Sequence, residues 1–166
     1  MERNYGMRYS DVNALFSKTP QAAAVLRGSR AHADIRGSVR FYGTRYGVFV
    51  VAEVAGLPRG GRCTEPIFAF HIHEGERCEA RGEDPFGAAG GHYNPNACAH
   101  PYHKGDLPPL WGADGYAFSA FLTSRFTVGE IVGKTVIIHA GLDDFTTQPA
   151  GNAGARIACG EIELTK

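Results

Sequence analysis

The sequence predicts an all-β protein, an antiparallel β-sandwich or Greek-key barrel of six to eight short strands interrupted by one long loop. Three observations carry this. Runs such as Val48-Phe49-Val50-Val51 and Val136-Ile137-Ile138 are short and rich in branched and aromatic residues, the composition of strands. The 22 glycines and 9 prolines are many for a helical protein and suit a turn-rich one. Residues 74–114 show little periodicity and many Gly, Pro, Asn, Asp and His residues, and an irregular stretch of that length in a compact domain is usually functional.

Residues 1–19 are polar and read as an irregular N-terminal arm, leaving residues 20–166 as a single domain. Thr19-Pro20-Gln21 before three alanines has the form of a helix start, but the run breaks at Gly28 and is too short for propensity to decide. From Ile35 to Tyr42 apolar and polar residues alternate. After Gly43-Thr44-Arg45 comes Tyr46–Val54, so the pair reads as a hairpin. A strand over residues 66–73 follows the Leu57–Gly61 turn. Beyond the long loop, strand composition returns at Tyr116–Leu122, Phe126–Val128 and Thr135–His139. A second loop spans Ala140–Ala155, and the last strand is Arg156–Leu164.

Composition excludes several function classes. Seventeen basic and 17 acidic residues balance to a net charge of +0, so no basic surplus points to nucleic acid. No apolar run approaches the ~20 residues that span a bilayer. The first residues lack the charged-then-apolar pattern of a signal peptide, so a cytoplasmic protein is expected. Four cysteines allow three pairings if all are oxidised, whereas a cytosolic setting argues for thiols or metal ligands.

The chemistry centres on Phe70-His71-Ile72-His73-Glu74. Side chains alternate along a strand, so His71 and His73 share a face, about 6–7 Å apart, while Ile72 points the other way. Two imidazoles so placed form a pincer for a transition metal. Of the seven histidines, His92, His100, His103 and His139 join this pair, three of them in the long loop with Asp106 close by. Neutral imidazole suits zinc and copper, and a carboxylate can complete a zinc tetrahedron. Six histidines and one aspartate serve two four-coordinate metals if one histidine is shared, with each ring nitrogen binding one metal. His32, alone before the first confident strand, reads as a solvated loop residue, Trp111 as a packing or interface residue, and Lys104 as exposed.

Five motifs in order, Phe70–Glu74, Gly90-Gly91-His92-Tyr93-Asn94-Pro95, His103-Lys104-Gly105-Asp106-Leu107, Val136–His139 and Gly151–Gly160, resemble the copper–zinc superoxide dismutases. The likeness runs from about Ala22 to Leu164 and is nearest to the prokaryotic type with short loops. It implies an eight-stranded antiparallel Greek-key β-barrel and a strand at 22–27. It also implies copper and zinc as cofactors and superoxide as substrate, with no nucleic-acid or membrane partner, and leaves a homodimer open. By position, copper falls to His71, His73, His92 and His139, and zinc to His92, His100, His103 and Asp106. Asp143 matches the aspartate that ties a copper ligand to a zinc ligand. Arg156 matches the arginine that holds superoxide beside copper, and His92 the bridge that leaves copper on reduction and carries a proton.

Cys78 and Cys159 match the family disulfide, while Cys63 and Cys98 stay open between a second bridge and two free thiols. A Cys98/His zinc site is the weaker alternative, because Asp106 is the better fourth ligand beside a shared histidine. The spacing from His100 to His103 is shorter than the family's usual one. Two rival classes remain on the same residues. A metal-binding module without activity is disfavoured by the complete ligand set with Arg156, and a zinc hydrolase would need an open water position.

Overall fold

The computed structural model describes residues 6–64 and 66–166. Its strands are β1 (Ala22–Gly28), β2 (Arg36–Thr44), β3 (Gly47–Ala55), β4 (Ile67–Phe68), β5 (Phe70–His73), β6 (Leu110–Trp111), β7 (Tyr116–Thr123), β8 (Thr135–His139) and β9 (Arg156–Leu164). Seven of them form one antiparallel sheet in the order β5-β8-β9-β1-β2-β3-β7, and β4 pairs with β6. The strand expected over 66–73 is thus split at Ala69. Its first half pairs with β6 and its second with β8, which brings the two ends of the curled sheet together. The skips from β3 to β5 and from β7 to β8 are consistent with Greek-key connections. The hairpin β2–β3 is in register from Arg36↔Ala55 to Thr44↔Gly47.

Inward residues of the strands, among them Leu26, Val39, Phe41, Val50, Phe68, Phe70, Ile72, Ile138 and Ile162, pack into one core. His71 and His73 lie on the opposite face of β5 from Phe70 and Ile72 and yet are 0% and 1% exposed, because the two long loops cover that face. A smaller cluster of Phe86, Ala89, Ile137 and Cys159, with Cys78 against it, fastens the first loop to the outer face of β8 and β9. A disulfide joins Cys78 to Cys159 there, while Cys63 and Cys98 are free and exposed.

The free side of β5 is covered by the same loop. Ile72 N–H donates to Gly105 O at 2.8 Å, Tyr93 N–H donates to Ile72 O at 2.8 Å, and Glu74 N–H donates to Gly91 O at 2.9 Å. Gly105 is required at this seam, since a Cβ there would stand 2.1 Å from Ile72 O.

Three further expectations change. Within the segment read as an irregular arm, residues 1–5 lie outside the described residues, but Tyr9–Phe16 forms helix α1. Asp11 at its third position accepts the Arg8 backbone N–H, and Met7, Val12 and Leu15 pack on Tyr42, Phe49 and Val51 of β2 and β3. Packing of partly buried apolar residues on the sheet, which local propensity does not report, supports this short helix. Phe126–Val128 is no strand: Val128–Ile131 is a helical turn, α2, whose Thr127 and Glu130 form a capping box. Lys104 is only partly exposed, because its ammonium pairs with Glu130.

Candidate metal centre

β5 presents His71 and His73, and a register shift between Ile138 and His139 at the end of β8 re-aims His139 toward them. The first loop returns along β5 and brings His92 and Asp106 opposite His73 and His71. The result is two donor groups, His71/His73/His92/His139 and His92/His100/His103/Asp106, in each of which the potential ligand atoms lie within 4.8 Å of one another. All seven residues are buried. The shortened step from His100 to His103 still places both in one group. Cys98, exposed, belongs to neither, and His32 lies outside both, beside Ser29.

The outward nitrogens are engaged in ways that aim the inward ones. His73 Nδ1 donates to Gly90 O at 2.9 Å and His139 Nδ1 to Gly154 O at 3.2 Å, so their Nε2 atoms stand 3.3 Å apart, facing the cavity. Asp143 accepts from His71 Nε2 and from His100 Nε2, each at 2.8 Å, one oxygen for each ring. Its Oδ1 also accepts the Phe145 N–H at 2.8 Å. Gly151, at φ +68°, passes so close that a Cβ would meet Asp143 Oδ1 at 2.0 Å. Gln148 grips the backbone of His100 at both ends: its Oε1 accepts the His100 N–H at 2.9 Å and its Nε2 donates to His100 O at 2.8 Å.

His71 Nδ1, His92 Nε2 and His100 Nδ1 are left buried without a hydrogen-bond partner. His100 Nδ1 lies 3.1 Å from Asp106 Oδ2 at an angle that makes no hydrogen bond. Buried lone pairs converging this way are costly unless a cation sits among them. Nitrogen donors with one carboxylate are the set that zinc and copper take, so these residues fit both metals. His92 stands apart from the rest. Its Nδ1 is 2.8 Å from Asp106 Oδ1 and 3.4 Å from His103 Nδ1, its Nε2 is buried without a partner, and it alone is common to both groups.

Electrostatics match. Burial, then the neighbouring His71, pushes His139 down to about 3, and burial also lowers His71 and holds His73 well below its ordinary value. Burial alone would raise Asp106, but the hydrogen bond from His92 and the nearby His100 and His103 outweigh it and lower its carboxyl. Asp143 is held well below the carboxylate range, against burial, by its bonds to His71, Phe145 and His100. A histidine whose pKa falls on folding binds protons better when unfolded, so it costs stability as pH drops. For His139 the window runs from about 6.5 to about 3, with a slope of up to ~1.4 kcal/mol per pH unit. Thermal unfolding of the metal-free protein is therefore expected to move steadily lower between those values; a flat profile would contradict the assigned burial.

Arg156 opens β9. Its Nη1 donates to Phe86 O at 2.8 Å and its Nη2 to Gly90 O at 2.6 Å, and Asp84 lies 3.4 Å away. Gly90 O also accepts from His73 Nδ1, so one carbonyl joins the arginine to the His71/His73 side. Its charge acts on His73 and His139. Arg125 and Gln148, both engaged with the zinc-side loop, gave no signal in the sequence: neither sits in a ligand motif, and their partners are backbone atoms.

Comparison with known proteins agrees with this geometry. Residues 35–162 match the family model of copper/zinc superoxide dismutase. A copper–zinc superoxide dismutase of Photobacterium leiognathi is 38% identical over 141 residues, 76% of this chain and 78% of that protein. One from Deinococcus radiodurans is 37% identical over 147 residues, covering 78% of each. The structure of the Brucella abortus Cu/Zn superoxide dismutase superposes with a TM-score of 0.70 at 28% identity, covering 86% of this chain and 99% of that one. The barrel, its two donor groups and these relatives together place the chain in the copper/zinc superoxide dismutase family.

Proposed function

We propose that this protein disproportionates superoxide, two O2•− and two protons giving O2 and H2O2, at a copper held by His71, His73, His92 and His139 and linked through His92 to a zinc held by His92, His100, His103 and Asp106. The observation that carries this is His92, the one residue common to both donor groups, whose Nδ1 faces Asp106 while its Nε2 is buried without a protein partner. Copper, when bound, supplies the one-electron redox chemistry. The chain supplies the rest. His92 Nε2, buried and without a protein partner, is the atom that can take up and release a proton within reach of a bound anion. Asp143 fixes the rings of His71 and His100. Arg156, its guanidinium anchored on two carbonyls, offers a fixed positive charge to the incoming anion.

One copper and one zinc per chain are expected when both are supplied, with superoxide disproportionation measured on the same preparation. Zinc alone after copper loading would favour a binding module. A charged hydrogen bond is worth roughly 1.5–3 kcal/mol, so Arg156→Ala should slow turnover about 10- to 100-fold. Arg156→Lys should slow it less and Arg156→Glu more. Wild-type turnover in Arg156→Glu at low ionic strength would remove the residue from the substrate site.

The same reading takes residues 20–166 as one domain with residues 1–19 appended to it. No helix among the described residues is long and apolar enough to cross a membrane. A cytoplasmic location requires that the Cys78–Cys159 bridge be protected from cellular thiols, since disulfides persist mainly in oxidising compartments; fractionation decides it. Trp111 is 69% exposed, which favours the interface role over packing and supports a homodimer, measurable by sedimentation.

A further inference from the structure

The loop that carries His103 and Asp106 has little regular structure of its own, yet its backbone is held from outside. Arg125 Nη1, with two N–H bonds, donates to Pro101 O at 2.8 Å and His103 O at 2.9 Å and shares a weaker contact with Asp106 O at 3.4 Å. Three carbonyl oxygens aimed at one point repel one another, and a cation at their focus reverses the sign of that interaction. No carboxylate among the described residues lies within ion-pair distance of Arg125, so its charge goes to these carbonyls.

The arm is rooted in the barrel. Arg125 N–H donates to Thr123 Oγ1 at 3.2 Å, where Thr123 ends β7, and the next residue, Phe126, is a core residue 3% exposed. A second tie runs parallel: Lys104, from the same loop, pairs with Glu130, which caps α2 through Thr127. The corner between β7 and α2 therefore grips residues 101–106, the stretch in which His103 and Asp106 stand three positions apart and Asp106 Oδ2 accepts the His103 N–H at 3.0 Å.

We propose that Arg125 is a positioning residue of the zinc half-site: by binding the carbonyls of Pro101, His103 and Asp106 it holds the loop in its ligating shape before metal arrives. This rests on the assignment of His103 and Asp106 as zinc ligands. Two physical effects of Arg125 oppose each other. Its positive charge repels a divalent cation, so if charge were its whole influence, removing it would tighten zinc binding. Its hydrogen bonds organise the ligands, so removing them loosens it. The sign of the change separates the two.

The test uses the disulfide-intact, metal-free full chain, with zinc affinity measured by competition against a chromophoric chelator and cobalt(II) bound in place of zinc to report ligand geometry through its visible bands. Arg125→Met is expected to weaken zinc binding about 10- to 100-fold, the range for partners that orient metal ligands, and to alter the cobalt bands. Copper affinity should be unchanged. Arg125→Lys, with three donors on a charged tip, should recover much of the loss, and Arg125→Gln, with fewer donors and no charge, should fall between. If Arg125→Met does not fold, Arg125→Gln carries the same comparison. Zinc binding equal to or tighter than wild type in Arg125→Met or Arg125→Gln overturns the proposal. So does a loss shared equally by copper together with a lowered unfolding temperature of the metal-free protein, which would mark general loosening. His103→Ala separates the levels. If it leaves zinc binding intact, the ligand assignment itself fails; if it abolishes zinc binding while the Arg125 variants do not weaken it, only the positioning role falls.

Discussion

Reducing the Cys78–Cys159 bridge is expected to destabilise the metal-free protein by about 4–5 kcal/mol, the loop-closure entropy of a ring of this size. The two cysteines are 81 positions apart, so most of the chain's second half, including five of the seven metal-donor residues, lies inside the ring. The bridge also lies in the small cluster of Phe86, Ala89 and Ile137 that fastens the first loop to β8 and β9. Phe86 and Gly90 of that loop hold Arg156 through their carbonyls. Denaturant titration of oxidised and reduced metal-free protein measures the difference. A change in the folding equilibrium well short of a thousandfold would mean that the loop stays ordered without its covalent tie. Cys159 is 2% exposed and Cys78 partly exposed, so a reductant is expected to attack at Cys78.

The second large effect concerns Asp143. Asp143→Ala should weaken copper and zinc binding together, by about 10- to 100-fold at each site. One carboxylate accepts from His71 Nε2 and from His100 Nε2, and these rings belong to different donor groups. Removing it frees both rings to turn and leaves two buried N–H groups without an acceptor. Asp143→Asn distinguishes orientation from charge: an amide has one oxygen to accept and one nitrogen that cannot, so one ring stays fixed and the other is released. Chelator competition for each metal reads this directly. Loss confined to one metal in Asp143→Ala would show that the carboxylate orients only one ring. In the metal-free protein Asp143 also shapes acid stability. Its pKa is depressed in the fold, so its contribution is present above the unfolded value of about 4 and lost as pH falls below it.

The sequence made the donor set legible because the relevant rules are local. Alternation on β5 put His71 and His73 on one face, and an all-histidine excess in an aperiodic loop singled out His92, His100 and His103. The hairpin β2–β3 was legible for the same reason: its alternation is strong and its turn short. Helix α1 was not, since its eight residues offer little helical signal and what supports them is the packing of Val12 and Leu15 on Tyr42 and Phe49. The turn α2 was missed because Phe126-Thr127-Val128 has strand composition, and the capping box from Thr127 to Glu130 overrides it. Arg125 and Gln148 were invisible for a different cause. Each acts on main-chain atoms 19 or more positions away, and no residue type marks the receiving end.

The loop lying along β5 has a consequence for self-association. Ile67-Phe68-Ala69-Phe70-His71-Ile72 is a run of high β propensity without Pro, Gly or any charge at neutral pH, the profile of segments that pair into cross-β stacks. Its Ile67–Phe68 half pairs with β6, but the free side of its second half is shielded by the metal-binding loop itself, through Tyr93 and Gly105. The elements that recruit metal and those that guard the edge are therefore one and the same. A chain without metal and without its disulfide keeps only the hydrogen bonds and the Arg125 and Lys104 ties on that guard, and wherever these open the edge of β5 is a template for another copy. Aggregation of the metal-free, reduced chain is therefore expected to exceed that of the metal-loaded, oxidised chain, as light scattering would measure.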